Sequence, residues 1–478
     1  MSYKDANLDL TDAGVSEALI ARLDGGWRFV HDLGAWIEWR GARWTQDQTE
    51  RVMQYAIATV EMMEATVDAI KDDSVRKAAR RAWLGRLSAS ALAASARVAR
   101  TDPSIAMVAA DLDADPMVLH APNGRVDLRT GKLLAPDRDA LNMRLATSPF
   151  DPSAQSDQWN AFLAAVTCGD EELANWLQCA VGMTLLGDQR EQVVVFCHGH
   201  GANGKTTFLE AVSYALGDYA GQGAPDLVTH SQHDRHPTEL FDLRGRRMVV
   251  VPELRGNRAL DESKLKQISG GGKTKARSMG KDFVEFPNTW QLWLDGNARP
   301  TIHGQDEGIW RRMRLVPWRM HIETDKRDRE LPSKLREAAP AILAWAVRGC
   351  VAYLAAGKLP PCQAVDDGTD QYRREQDLVG EWLSEVHEVE RWSPVANAWA
   401  TAASVTASAN DWCGRNNVRP WSPQTLAQEL QRRGCEPVRR KIGRGWTGIT
   451  QEAVQKQTNG WANGSNDNNR GSFLREVK

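Results

Sequence analysis

Eight residues, Gly199-His200-Gly201-Ala202-Asn203-Gly204-Lys205-Thr206, follow the pattern G-x-x-x-x-G-K-T, and the chemistry of that pattern is a triphosphate cradle. Glycines let successive backbone N–H groups close on phosphate oxygens, and the N-terminus of a following helix adds positive potential. Lys205 is expected to reach the β- and γ-phosphates, and the Thr206 hydroxyl to hold Mg²⁺. Gly199, Gly201, Asn203, Gly204 and Thr207 complete the expected nucleotide contacts, Asn203 in a structural more than a chemical role. Context gives the pattern its weight. An apolar run, Val193 to Cys197, precedes it, and a helix-compatible stretch, Thr207 to Leu216, follows. Strand, loop and helix in that order point to ATP or a related nucleotide, against a plain glycine-rich turn.

Such a loop occurs in kinases, motors, GTPases and transporters alike, so downstream residues must discriminate. The next apolar run, Met248 to Val251, ends in Pro252-Glu253, where a carboxylate can polarise an attacking water or share in holding the metal. A third buried-looking run, Thr289 to Leu294, ends in Asp295-Gly296-Asn297, and the Asn297 amide is suited to orienting that water. Two alternating segments around Met279 to Asp282 suggest a hairpin with a basic tip, carrying Lys275, Arg277 and Lys281. Arg311 and Arg312 follow a short helix, and guanidinium is the group that stabilises transition-state charge, often across a subunit boundary.

These motifs need a scaffold. The 478 residues suggest about three domains, and 42% apolar with 26% charged content is that of a soluble globular protein. No run of 18 apolar residues is seen and no secretory signal opens the chain, so a cytoplasmic protein off the membrane is expected. Seven cysteines without a C-x-x-C pair argue for free thiols in a reducing compartment. A net charge of −2 confines any nucleic-acid surface to local patches. The 19 tryptophans have no evident functional reading.

Aromatics alternating about Arg40-Gly41 predict a small hairpin, and Gln46 to Arg100 reads as helical. Met117 to Leu134 gives short strands broken by turns, and 157–186 two helices divided at Cys168-Gly169-Asp170. One long helix is expected over 333–357, kinked at Pro340, and another over 367–387. A helix over 396–413, a second opening at Ser422-Pro423 and a basic hairpin over 438–449 outline a winged helix. Arg439, Arg440, Lys441 and Arg444 in that hairpin, with Arg432 and Arg433 beside it, could meet several phosphates, although a charged edge also discourages aggregation. Trp446 suits stacking or core packing equally. The expected class is α/β, an AAA+-type P-loop core over 188–330. A helical and small-β domain (1–150) and a helical collar (151–187) precede it. A lid (331–392), a winged-helix-like domain (393–450) and a disordered tail (451–478) follow.

Taken in order, these motifs resemble those of superfamily-three helicases, specifically the phage and plasmid replication-protein branch related to the poxvirus helicase-primase. The resemblance extends from Trp36 to about Ile449. Glu253 falls on that family's Walker-B acid, Lys264 to Arg277 on its hairpin motif, Lys281 on the hairpin's DNA-touching tip, and Asn297 on the sensor asparagine. Arg311 and Arg312 fall on the arginine finger, with Arg312 the preferred candidate. The resemblance implies an ATP- and Mg²⁺-dependent helicase, a homo-oligomeric ring, usually a hexamer, moving 3′ to 5′ on single-stranded or forked DNA. A separate primase or polymerase partner is possible on the same ground, since no primase domain fits in 1–150. Two departures stand out. Gly270-Gly271-Gly272-Lys273 replaces the usual Gly-Gly-Asp, and Pro252 leaves Glu253 as a solitary acid.

Asp111, Asp113 and Asp115 could imitate the metal carboxylates of a primase, but a polar turn is the simpler reading. His198, His200, His230, His233 and His236 are unevenly spaced among polar neighbours, which disfavours zinc. Two rivals remain for the whole chain. One is a P-loop kinase of a small metabolite, which leaves the basic hairpins unexplained; the other is an origin-binding module whose assembly ATP merely regulates.

Overall fold

Alternation of apolar side chains sets the centre of the fold. The computed structural model describes residues 8–230, 238–253, 259–277, 282–302, 304–387, 398–416, 418–449 and 454. The chain divides into two compact units, Met1–Tyr372 and Arg373–Lys478.

In the first unit β1 (Trp27–Val30), β2 (Ala35–Trp39) and β3 (Trp44–Gln46) form an antiparallel meander, with β4 (Ala106–Met107) parallel to β1. The expected helical stretch 46–100 is three helices, Arg51–Asp68, Asp73–Arg86 and Ala89–Ala99; Asp72 and Ser88 cap the second and third. A helix at Asp12–Leu23, capped by Thr11, was not anticipated. β5 (Val118–Ala121), β6 (Gly124–Asp127) and β7 (Lys132–Leu134) are the expected short strands. Helices Asp157–Val166 and Glu171–Thr184 separate at Cys168-Gly169, both at positive φ.

The core sheet contains β8 (Val194–His198), β9 (Ala220–Gln222), β10 (Met248–Val251), β13 (Gln291–Gly296) and β14 (Met313–Pro317), while β11 (Lys273–Ala276) and β12 (Val284–Pro287) make a separate hairpin. Its order is β14-β8-β13-β10-β9, all parallel. Side chains alternate between two cores: Val195, Cys197, Val250 and Trp293 enter one, Val194, Phe196, Val249, Leu292 and Leu294 the other. A parallel sheet covered on both faces needs apolar residues at every position of its strands, which is why these runs read as continuous. The chain enters at β8, builds away to β9 and returns, then crosses to β14 on the other side of β8. The C-terminal edge beside β8 is therefore the crevice where open parallel sheets bind ligands.

The expected helix 333–357 is two, Leu331–Glu337 and Ala339–Ala356, because Pro340 has no N–H to carry the helical ladder back into the preceding turn and is tolerated only in the first turn of a new helix. Ala339–Ala356 has the length and mean hydropathy of a membrane-crossing helix, but Arg348 interrupts its apolar run and most of it is buried within the fold. Its composition has a packing cause: it lies against Glu171–Thr184 so closely that a Cβ at Gly182 or Gly349 would overlap the facing backbone.

The expected helix 367–387 is also two, Gln363–Gln376 and Leu378–His387, and Asp377 between them accepts from the Gly380 N–H at 2.9 Å. The lid expected over 331–392 thus divides at Tyr372, since Val379, Trp382 and Leu383 pack into the core of the second unit. There β15 (Trp399–Thr401) pairs with β17 (Gly443–Thr447), which pairs with β16 (Pro437–Arg440). Residues 399–401, expected as helix, are strand; the helix is Ala402–Arg415, capped by Thr401. Helix Pro423–Arg432 opens at Ser422 as expected. Helices Leu378–His387, Ala402–Arg415 and Pro423–Arg432 thus accompany this three-stranded sheet, whose β16–β17 pair is the expected basic hairpin. The expected tail lies outside the described residues, Val454 excepted.

Candidate nucleotide site

The loop after β8 turns through Ala202 at φ 62° and Gly204 at φ 82° before helix Lys205–Leu216 begins. Gly204 is required twice over, by its left-handed backbone and because a Cβ there would come within 2.7 Å of Val166. At Gly199 a side chain would strike the Trp318 carbonyl, so that wall of the cradle is closed by the residue after β14. Trp318 O also accepts from Asn203 Nδ2 at 3.3 Å, a contact that ties the loop to the residue after β14.

Lys205 is only 3% exposed. Its ammonium donates to Gly199 O at 2.9 Å, Asn203 Oδ1 at 3.1 Å and Asn297 Oδ1 at 2.9 Å. Three neutral acceptors thus hold the charge where an incoming phosphate would take over. Burial lowers its pKa, and the carboxylate of Asp295 opposes that. Asn297, on the loop after β13, is therefore in contact with the lysine 92 residues away. Glu253 stands exposed two residues beyond β10 at φ 50°, a left-handed conformation unusual for glutamate.

One residue at this site escaped sequence reasoning. Asp295, the fifth residue of β13, accepts from Thr206 Oγ at 2.9 Å and is 9% exposed. Burial raises its carboxyl pKa; Thr206 and Lys205 pull it down, and Glu253 pushes it up again. Its signal lay in the motif Asp295-Gly-Asn297, where only the asparagine drew attention. Thr206, Asp295 and Glu253 together offer hydroxyl and carboxylate oxygens, a hard donor set that fits Mg²⁺.

The two arginines part company. Arg312 is 8% exposed, its guanidinium donating to Gly308 O and, at 3.1 Å, to Gln192 Oε1 of its own chain. Arg311 is exposed and donates to the same Gln192 oxygen at 3.0 Å. A finger must reach out of its own subunit. Arg312, the preferred candidate, is the more enclosed of the two and Arg311 the more open, although both donate to Gln192 of their own chain.

Lys275 is exposed on β11, and with Arg277 it flanks the Phe283 ring, at 5.8 and 4.7 Å from its centroid. Lys281 lies outside the described residues, as do His233 and His236. The departure at Gly272 does not leave the hairpin base loose. Buried Gln189 accepts from Gly271 N at 2.7 Å and donates to Ile268 O and Trp290 O, both at 2.7 Å. Gln189 is a second residue that sequence reasoning missed, and no motif marks it.

In the second unit Arg439, Arg440, Lys441 and Arg444 are exposed, with Arg439 directly across from Arg444. Arg432 and Arg433 do not join them: Glu429 binds both, and Asp377 also binds Arg433. Trp446 is buried in that unit's core, so it packs and does not stack on a ligand. Of the aspartates of 111–115, Asp111 and Asp115 accept from the nearby Val108 and Met117 N–H groups, whereas Asp113 accepts from Met143 N, 30 residues on, as a long-range structural contact.

With the site described, its likenesses can be stated. The family described as "D5 N terminal like" matches residues 16–168, and a family of unknown function, DUF5906, matches 197–312. A protein of Acanthamoeba polyphaga mimivirus, provisionally named a helicase, is 26% identical over 48% of this chain and 26% of its own length. One from Frog virus 3, likewise named, is 25% identical over 62% of this chain and 32% of its own. A provisionally named primase of African swine fever virus is 23% identical over 67% of this chain and 36% of its own. The chain is similar to viral helicase- and primase-type proteins. It spans about a quarter to a third of the length of these curated relatives. Among solved structures, the apo C-terminal region of NrS-1 matches with a TM-score of 0.51 at 10% identity, covering 92% of this chain and all of that one. That likeness concerns the fold.

Proposed function

We propose that this chain is an ATP-hydrolysing DNA helicase of the superfamily-three type, built on an AAA+-type core and working as a homo-oligomeric ring, a hexamer by resemblance, on single-stranded or forked DNA. The observation that carries the reading is the meeting of Lys205, Asn297, Thr206 and Asp295 at the C-terminal edge of adjacent parallel strands, with Glu253 one strand away. Bound Mg²⁺ would neutralise charge on the phosphates. Lys205 grips the β- and γ-phosphates, Thr206 faces the metal, Glu253 accepts a proton from the attacking water and Asn297 orients it. Arg311 of a neighbouring subunit supplies the missing positive charge.

DNA contact is assigned to Lys275, Arg277 and Lys281 on one hairpin and to Arg439, Arg440, Lys441 and Arg444 on the other. Two features support the second. Like charges opposed across a strand pair are destabilising, as at Arg439 and Arg444, and a polyanion relieves that cost. The first hairpin offers an aromatic ring beside two cations, a combination suited to binding single-stranded nucleic acid.

The test is ATP turnover with and without single-stranded DNA, with particle mass measured in nucleotide. DNA-stimulated turnover by an assembled ring is expected; a rate indifferent to DNA in a strictly monomeric sample discards the motor. Glu253→Gln separates the origin-binding alternative: the helicase reading expects ATP binding without unwinding, whereas a module that ATP merely assembles would keep its DNA function.

A further inference from the structure

We infer that Asp295 is the second carboxylate of the magnesium site, delivered from β13 because β10 has proline at the corresponding level. The inference rests on the reading of Gly199–Thr206 as the Mg·ATP loop. The register carries the argument. β10 and β13 run parallel, with Val251 paired to Leu294 as the last partners. The next residues along the two strands are Pro252 and Asp295, side by side at the edge that faces the loop. A proline offers no oxygen beyond its carbonyl and Glu253 follows at positive φ, so β10 contributes one acid where the site calls for two. Asp295 fills the gap from the neighbouring strand, between Glu253 on one side and the loop of β8 on the other.

The hydrogen-bond direction sharpens the role. Thr206 Oγ–H donates to Asp295 Oδ2, which commits the hydroxyl proton to the carboxylate. A hydroxyl so engaged keeps its lone pairs for a cation on the opposite side. Asp295 therefore acts as a positioning residue for Thr206 and adds a buried negative charge beside the metal. Thr206 is itself exposed at the mouth of the loop, within reach of a ligand entering from solvent.

The test is the affinity of the full chain for a fluorescent ADP, measured in Mg²⁺ and in EDTA, for wild type, Asp295→Asn and Asp295→Ser. Wild type is expected to bind more tightly in Mg²⁺. Both variants should raise the Mg²⁺ concentration needed for half of that gain by about 10- to 100-fold, the usual cost of losing a group that orients a metal ligand. Their affinity in EDTA should stay within about twofold of wild type, which also reports that the loop is folded, since Lys205 and not the metal site then holds the phosphates. Thr206→Ala should show the same loss, and adding Asp295→Asn to it should lower Mg²⁺ affinity little further, because the two act as one unit. An Asp295 variant that binds in EDTA and keeps the full magnesium gain overturns the assignment while leaving the ATP site intact. A wild-type chain that binds no nucleotide in either buffer instead removes the Mg·ATP reading itself.

Discussion

The two units handle charge in opposite ways. In Met1–Tyr372 several ionic groups are enclosed: Lys205, Asp295, Arg312 and Arg247 are all buried, each with partners from its own chain, while Glu253 and Arg311 stand open. In Arg373–Lys478 the four cations of the β16–β17 hairpin stand in solvent, in no ion pair among the described residues. Enclosure fixes geometry in advance, as a site must when it distinguishes a transition state from a ground state. Exposure keeps charges free for counterion exchange on a polymer with no fixed register. Substitutions of the enclosed groups should therefore act on rate, stability or titration, and those of the β16–β17 cations chiefly on salt dependence.

The largest expected effect is at Lys205. Lys205→Ala should reduce ATP turnover by about 10²- to 10³-fold, the usual scale for removing one preorganised donor from a developing oxyanion. DNA binding through the wing should be unchanged in a salt titration without nucleotide. Loss of both together would show that the two regions are not separable.

Next comes a pH effect from an enclosed group that no motif announced. His120 on β5 is 6% exposed, accepts or donates only toward Tyr219 at 3.2 Å through Nδ1, and has no partner at Nε2. Burial, followed by the nearby Arg247 and Arg125, pushes its pKa from 6.5 down to about 4. The unfolded chain binds this proton at a higher pH than the folded one. Its contribution is thus complete above pH 6.5 and is lost as pH falls toward 4, amounting to about 3 kcal/mol. Urea unfolding from pH 7 to 4 should show that decline, and His120→Gln should flatten it. An unaltered slope in the variant would assign the decline to other groups.

What the sequence disclosed follows the same division between local and enclosed. The phosphate loop was legible because its strand, turn and helix are contiguous, and the wing because its cations alternate around a glycine turn. Asp295 was not, since its partner Thr206 lies 89 residues away across a strand order that local pattern does not reveal. Gln189 was hidden for the same reason, as its carbonyl partners come from Ile268 and Trp290. β15 was read as helix because alanine-rich context hid three residues whose conformation is set by pairing with β17. The break at Pro340 was anticipated as a kink, but proline's missing N–H ends one helix at Glu337 and lets another start at Ala339. Arg311 and Arg312 are adjacent in sequence and opposite in environment, a distinction that the short helix Glu307–Trp310 makes and composition cannot.

That pair gives an intermediate effect. Arg312→Ala removes a buried guanidinium with two partners and should lower folding stability by about 1–3 kcal/mol. Arg311→Ala should leave the unfolding midpoint nearly unchanged and instead reduce ATP turnover under conditions of assembly. Reversal of the two outcomes would restore Arg312 as the finger and require the loop around Gln192 to open in the ring.

The smallest effects belong to the wing, and their regularity is the point. Each of Arg439→Ala, Arg440→Ala, Lys441→Ala and Arg444→Ala should reduce the slope of log K against log salt by about 0.7 on single strands, with no change in ATP turnover without DNA. Arg440 should differ in one respect. Its guanidinium lies over the Trp399 ring at 5.2 Å, so its removal also takes away packing on β15, and a small loss of stability accompanies the change in slope. Arg439 and Arg444 repel one another across the strands, so either substitution relieves strain in the free protein while weakening DNA binding. A stability gain at those two positions, set against a loss at Arg440, would show that this hairpin holds its charges at a cost that only a polyanion recovers. Four equal losses of stability with unaltered salt slopes would make the hairpin a structural edge.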